Sequence, residues 1–323
     1  MRAGALRKLL NSVALQTVYP NEIIIVDAST NVGTKKLLSA NQHKNAHYFL
    51  VDEATRGLTK QRNFGISKVA ENSEIVSFLD DDTVLENDYF ENVLKTYIEF
   101  PEALGVGGII TSEIHWDFVG DNYKAKRCDF FYDGWKRKDP FRFEMRKLVG
   151  LDTNAPPGYM PTFSNGRSLS FLPPSGKVYP VEQLMGGVAS FRKNVFDKNK
   201  FSTYFEGYGL YEDADFSLRI SKIGKLYCNT NAKLSHYHDS SGRPNQYNYG
   251  KMVLRNGWYV WRIKHPNPNL KSRVKWNLIA FLLTLIRFTN IFTTSKPKEA
   301  FTESVGRIVG WFSLIFNKPN SKN

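Results

Sequence analysis

A chain of 323 residues with 41% hydrophobic and 23% charged side chains has the composition of an ordinary globular protein and can bury a sizeable core, as one large or two modest domains. Its two cysteines, Cys128 and Cys228, argue against a disulfide scaffold or a cysteine zinc site and fit a reducing compartment, and no charged-then-apolar leader stands at Met1, so secretion is not expected. The net charge of +13 is lopsided: residues 241–323 carry 14 Lys and Arg against 2 Asp and Glu, whereas residues 1–100 carry 11 against 13. A basic tail interleaved with apolar stretches points to an anionic membrane surface. The tail holds no recognisable nucleic-acid-reading motif, so nucleic acid is not an expected partner.

In chain order, the first hundred residues alternate helix and strand patterns. Ala5 to Gln16 spaces Leu6, Leu9, Leu10 and Val13 as a helix does, and Glu22 to Asp27 is a β-branched strand ending in a carboxylate. Lys35 to Asn41 reads as helix, Tyr48 to Val51 as strand, Gly57 to Ala70 as helix, and Glu74 to Leu79 as a strand followed by a helix near Asn87. This order predicts a parallel sheet with helices on its faces. Such a chain is expected to open with a strand, yet Met1 stands only a few residues before the first helix.

Residues 113–180 break the pattern with many aromatics, charges and prolines, and read as a loop-rich insertion over the sheet. From Met185 the order returns, with Gly186 and Gly187 before the strand-like Val188 to Phe191 and a helix opening at Glu212. In the tail, Trp276 to Phe292 and Val305 to Phe316 are apolar stretches broken by Arg287 and Arg307. They fall short of spanning length and read as core helices or, preferably, amphipathic helices lying on a membrane.

Asp80, Asp81 and Asp82 stand at the end of a strand-length apolar run, where open α/β sheets bind ligands. Adjacent carboxylates repel one another, and a divalent cation relieves that cost; the alternative is a solvated turn capping the next helix. On the helix opened by Glu212, an apolar stripe of Phe216, Ile220 and Ile223 places Asp213 on the inward side, as a general base or a buried cap. The helix dipole accounts for Glu212, and Asp215 pairs with Arg219. His236 and His238 fall on one face of a strand, within reach of a metal.

Taken in order, Ser12–Thr17, Pro20–Ser29, Arg56–Ile66, Phe78–Asp82, Gly186–Gly187 and Glu212–Asp213 resemble the motifs of family 2 glycosyltransferases over roughly residues 2–240. The resemblance implies an α/β GT-A fold: a Rossmann-like, mostly parallel central sheet with helices on both faces, here followed by C-terminal amphipathic helices. Residues 1–240 would form the catalytic domain, 1–112 binding the nucleotide-sugar and 113–240 the acceptor, with 241–323 a basic extension. It further implies an inverting transfer from a nucleotide-diphosphate sugar to a hydroxyl of a glycan or lipid-linked acceptor, in surface polysaccharide assembly on the inner face of the cell membrane. Asp213 matches the catalytic base. Asp27, Arg62, Asp80, Asp81 and Gly187 match donor-binding positions, and Asp80, Asp82 and His236 the site of Mn or Mg. Arg2 matches the Arg of an Asn-Arg loop that follows the family's first strand; without that strand the alternative is a catalytically impaired nucleotide-sugar-binding protein. Ala28 stands where many relatives carry Asp or Asn, which counts slightly against assigning base or ribose contacts there.

Overall fold

The computed structural model describes residues 2–41, 43–112, 114–205, 207–237 and 244–320. The expected alternation is present as α1 (Ala3–Ala14), β1 (Ile23–Asp27), α2 (Gly33–Ala40), β2 (Ala46–Leu50), α3 (Leu58–Ile66) and β3 (Ile75–Leu79). Then come β4 (Thr83–Leu85), α4 (Tyr89–Glu99) and β5 (Ala103–Ile110). The segment expected to be loops forms β6 (Asp117–Phe118), β7 (Asp129–Tyr132), β8 (Trp135–Lys138) and α5 (Phe141–Leu148). After it stand β9 (Val178–Val181), β10 (Val188–Arg192), α6 (Glu212–Ile220) and β11 (Lys225–His236), and the tail is α7 (Gln246–Lys264), α8 (Leu270–Thr289) and α9 (Pro297–Phe316).

Packing divides the chain into two compact units, Met1–Ile114 with Pro174–Gly242, and His115–Pro173 with Arg243–Asn323. This cuts the chain differently from the linear division drawn on sequence, because most of the aromatic insertion groups with the C-terminal helices.

In the first unit β1 and β2 pair in parallel, and a six-stranded sheet runs β3-β10-β5-β11-β4 with β9 also on β11. β5 and β11 are parallel, and β10 lies antiparallel between β3 and β5, so β3, β5 and β11 share one direction. Successive residues of β10 face opposite sides, and each side carries helices. Ser190 Oγ lies 3.2 Å from the Tyr97 hydroxyl of α4, on the side where Leu9 and Val13 of α1 join Tyr89, Val93 and Val106 in the core. Phe191 on the other side meets Phe216 of α6 edge-on at 4.9 Å, within an aromatic cluster that includes Phe78, Phe196 and Phe201.

In the second unit the order β6-β8-β7 is antiparallel throughout. Arg167, 2% exposed, is fixed between Asp139 at 2.8 Å and Asp152 at 2.9 Å, with Phe143 beneath its guanidinium. Trp261 of α7 stacks on Trp276 of α8, and its indole N–H donates to the Thr162 carbonyl at 3.0 Å. Helices α7 and α9 touch backbone to backbone: a Cβ on Gly306 would stand 2.0 Å from the Tyr247 carbonyl oxygen, and one on Gly250 2.1 Å from that of Glu303.

Segment Leu270–Phe292, α8 with a final 3-10 turn, is longer than the stretch read from sequence and is long and apolar enough by length and composition to cross a membrane. The shortfall expected from the sequence does not arise, because the helix begins at Leu270 rather than Trp276; within it the Arg287 guanidinium donates to Glu303 at 2.7 Å. Leu270, Val274, Leu278, Phe281, Leu285, Phe288 and Phe292 are all exposed, and their spacing of three and four draws one stripe along the helix. Phe301, Ile308, Phe312 and Ile315 expose a second stripe on α9.

Candidate active site

The end of β3, the start of β10, the first turn of α6 and the end of β11 bring the acids, glycines and histidine of the first unit together. Beyond Leu79, which pairs with Val188, the two strands carry Asp80 and Gly187 side by side. A Cβ on Gly187 would stand 2.5 Å from Asp80 Oδ2, so only glycine leaves that carboxylate room. The β4–β11 ladder sets Thr83 opposite His236, and Asp82 Oδ1 lies 3.0 Å from His236 Nε2. Ligand atoms from Asp80, Asp82 and His236 lie within 4.8 Å of one another. Two carboxylates and an imidazole at that spacing fit a divalent ion such as Mn or Mg. His238 lies outside the described residues.

Asp81 points to a different partner. Arg2 Nε donates to Asp81 Oδ2 at 3.1 Å and Arg2 Nη1 to Asp82 Oδ2 at 2.9 Å. Burial pushes the Asp81 carboxyl up, Arg2 pulls it back, and the neighbouring Asp82 and Asp80 charges push it up again, the mutual repulsion expected of the triplet.

Arg62 is largely buried between the rings of Phe78 and Phe201, and its guanidinium bridges Glu212 and Asp80, the latter at 3.5 Å. Glu212 is the deeper member of the Glu-Asp pair, 4% exposed, with Oε2 lacking a hydrogen-bond partner. Burial raises its carboxyl and the Arg62 charge opposes that rise.

Asp213 is partly buried at the site. Its Oδ2 accepts the Gly186 N–H at 3.1 Å and its Oδ1 the Ala214 N–H at 2.8 Å. Burial pushes its carboxyl above the ordinary aspartate range, against these two hydrogen bonds. Asp213 turns inward as the apolar stripe predicts, but it is not the innermost acid of the helix. α6 ends at Ile220, leaving Ile223 exposed, and the helix is buried almost all round, with Glu212 and Asp215 deeper than Asp213. The Asp215–Arg219 pair forms as expected, at 2.9 Å, with the Asp215 side chain fully buried. Tyr211, just before Glu212, holds φ at 72°, a left-handed conformation that costs a non-glycine residue about 1–3 kcal/mol and turns the chain sharply into the helix.

Asp27 closes β1 at 8% exposure, accepting from the Ser29 N–H at 2.8 Å and the Tyr48 hydroxyl at 3.0 Å. Burial raises its carboxyl, but hydrogen bonds from Ser29, Tyr48 and Thr34 outweigh that and hold it below the usual range. Sequence reasoning missed the Arg62–Glu212 bridge and the Tyr48 contact; Arg62 stands among the polar Lys60, Gln61 and Asn63 and Glu212 beside Asp213 and Asp215, so neither stands out from its neighbours.

Solved structures share this architecture. The chain superposes on the mannosyltransferase PcManGT from Pyrobaculum calidifontis, determined with GDP-Man and Mn2+, at a TM-score of 0.53 and 13% identity, covering 98% of this chain and 85% of that one. It matches S. aureus TarS 1-349 at 0.51 and 13% identity over 97% of this chain and 77% of that one, and GalNAc-T7 with UDP, GalNAc and Mn2+ at 0.50 and 18% over 81% and 48%. Identities this low bear on fold alone, and the fold is GT-A. Residues 1–163 match the family model described as glycosyl transferase family 2, and the chain belongs to that family. Among curated proteins, 129 residues are 27% identical to glycosyltransferase GlyA of Streptococcus pneumoniae serotype 4 (strain ATCC BAA-334 / TIGR4), 38% of this chain but 18% of GlyA.

Proposed function

We propose that this chain is an inverting glycosyltransferase that moves a sugar from a nucleotide-diphosphate sugar to an acceptor hydroxyl. One observation carries the reading: Gly186 and Gly187 join the two halves of the chemistry, Gly186 by its hydrogen bond to Asp213 and Gly187 by its contact with Asp80, so that a base and a metal-binding cluster share one site. Asp80, Asp82 and His236 would hold Mn or Mg, which supplies Lewis-acid stabilisation of a leaving diphosphate when bound. Asp213 takes the acceptor's proton as its oxygen attacks the anomeric carbon, and a single displacement inverts that centre. Arg62, tied to both Asp80 and Glu212, keeps the cluster in place, while Asp27 and Tyr48 at the end of β1 offer a polar edge to the nucleotide. PcManGT with GDP-Man and GalNAc-T7 with UDP, both holding Mn2+, support this class of donor and metal.

The exposed stripes of α8 and α9, in a segment with 14 basic and 2 acidic residues, support peripheral docking on an anionic membrane. Free Cys128 and Cys228 fit the cytoplasmic side. The acceptor is then a glycan or lipid-linked intermediate of surface polysaccharide assembly. The test is a thermal-shift screen of the purified protein with Mn or Mg against UDP-, GDP- and dTDP-sugars, followed by turnover with any donor that stabilises it and NMR assignment of the product anomer. Stabilisation by none of these donors, or retention of configuration, refutes the reading.

A further inference from the structure

The second unit contains a cavity of about 460 Å³ between α7, α8 and α9, whose walls share no residue with the acid cluster. Its walls include Trp258, Trp276, Trp311 and Phe312, and Arg262, Arg273 and Lys318 open into it; among the described residues no acid lines it. The Arg262 guanidinium lies 5.3 Å from the Trp258 ring centroid; its Nη2 donates to the Pro266 carbonyl, while its Nε is buried with no hydrogen-bond partner. Among the described residues Arg273 donates to the Pro268 carbonyl at 2.9 Å. The two tail acids are engaged elsewhere: Glu303 holds Arg287 and Arg307, each at 2.7 Å, and Glu299 holds Lys296 at 3.2 Å. Burial and the nearby Arg273 charge both lower the Arg262 pKa, the mark of two cations gathered without a counter-charge. Arg273, Asn277 and Trp311 also border a second hollow of about 400 Å³, whose other walls are Leu270, Val274, Leu278 and Phe281 of the exposed α8 stripe.

A cationic head whose described partners are backbone carbonyls, beside an apolar hollow that shares Arg273, Asn277 and Trp311 with it, is complementary to an anion carrying a long hydrocarbon chain. Guanidinium groups bind phosphate oxygens in pairs, while indole faces and aliphatic side chains accept the tail. We infer that this cavity binds the phosphate head of a single lipid molecule, with its chain laid along α8. The inference deepens the membrane-docking reading by naming the lipid chemistry recognised, and the two are separable, because docking rests on the exposed stripes and the basic residues around them rather than on this cavity.

The test is calorimetry and tryptophan fluorescence on the full chain with dihexanoyl phosphatidic acid below its micelle concentration, dihexanoyl phosphatidylcholine, and inorganic phosphate. Phosphatidic acid should bind at least tenfold tighter than the other two. Arg262→Gln/Arg273→Gln, and the exposed Arg273→Gln alone, should weaken it at least tenfold while thermal stabilisation by the nucleotide-sugar donor stays unchanged. Equal binding of inorganic phosphate would reduce the cavity to an anion site. Equal binding of phosphatidylcholine would reduce it to an apolar groove, and indifference to both arginine variants would place the lipid elsewhere; each overturns the inference. Leu285→Gln/Phe288→Gln, outside both hollows, tests docking independently. It should lose binding to anionic vesicles and keep dihexanoyl phosphatidic acid; vesicle binding that survives in wild type without any short-chain lipid binding leaves docking standing and removes the lipid site.

Discussion

Gly187 and Asp80 face each other across the ends of two antiparallel strands, so closely that a Cβ on the glycine would meet the carboxylate oxygen at 2.5 Å. A methyl group there has no room unless Asp80 swings aside. Gly187→Ala should therefore fold and keep its melting temperature within a few degrees, yet bind Mn or Mg about 10- to 100-fold more weakly, the equivalent of the roughly 1–3 kcal/mol that overpacking costs. Titration calorimetry with Mn2+ checks this, and unchanged metal affinity would show that Asp80 is not a ligand.

Asp82 is 7% exposed and serves both His236 and Arg2. Asp82→Ala should abolish turnover and the metal-dependent part of donor binding, because the remaining ligands neutralise a diphosphate poorly. Full activity of the wild type in EDTA would sink the metal assignment.

Asp213 must be ionised to act as a base, and burial has raised its pKa above the ordinary aspartate range. Turnover should rise with pH and level off above that raised pKa, so the acid limb lies at higher pH than a surface aspartate would give. Asp213→Asn should lower kcat by about 10² to 10⁴ with donor affinity nearly unchanged, and should lose the acid limb. Loss of donor affinity with intact chemistry would place Asp213 in the donor site instead.

The contact of α7 with α9 through Gly306 leaves 2.0 Å between an added Cβ and the Tyr247 carbonyl oxygen, a rigid backbone atom. Gly306→Ala should destabilise the second unit by more than the roughly 1–3 kcal/mol of ordinary overpacking, since no rotamer change relieves it. Calorimetry should show the loss, while donor-induced stabilisation of the first unit persists. A neutral substitution would mean the helix pair separates at little cost.

Docking by the stripe predicts co-sedimentation with anionic vesicles, weaker binding to neutral ones and partial release by high salt, each well-placed basic residue contributing about 1 kcal/mol. Extraction that requires detergent, with salt and alkali releasing nothing, would mean that Leu270–Phe292 crosses the bilayer.

Strand and helix identity in the first hundred residues was legible because β-branched runs and helical spacing there agree with burial, and β1, for example, begins within a residue of its expected start. The acid cluster was legible too, since carboxylates at a strand end have few structural reasons to be there. What sequence could not show is depth. The dipole at a helix start accounts for Glu212 as readily as a buried ion pair does, and only the path of Arg62 over Phe78 and Phe201 decides between them. In the insertion, Phe130 and Phe131 alternate too briefly to announce β7, and α7, with polar Asn248, Asn256 and Arg255 among its aromatics, lacks a clean apolar stripe.

The second unit is built from two stretches of chain with part of the first unit between them. A ribosome therefore releases its sheet and α5 well before α7, α8 and α9 exist to pack with them. Trp261 cannot meet the Thr162 carbonyl until α7 has been made, nor can Gly306 seat against Tyr247 until α9 has. Domains usually complete in order of synthesis, and long-range closure of this kind is slow. During that interval the insertion has only its own sheet and α5 to pack its aromatic rings against, so it is the stretch expected to need a chaperone while α7, α8 and α9 are being made.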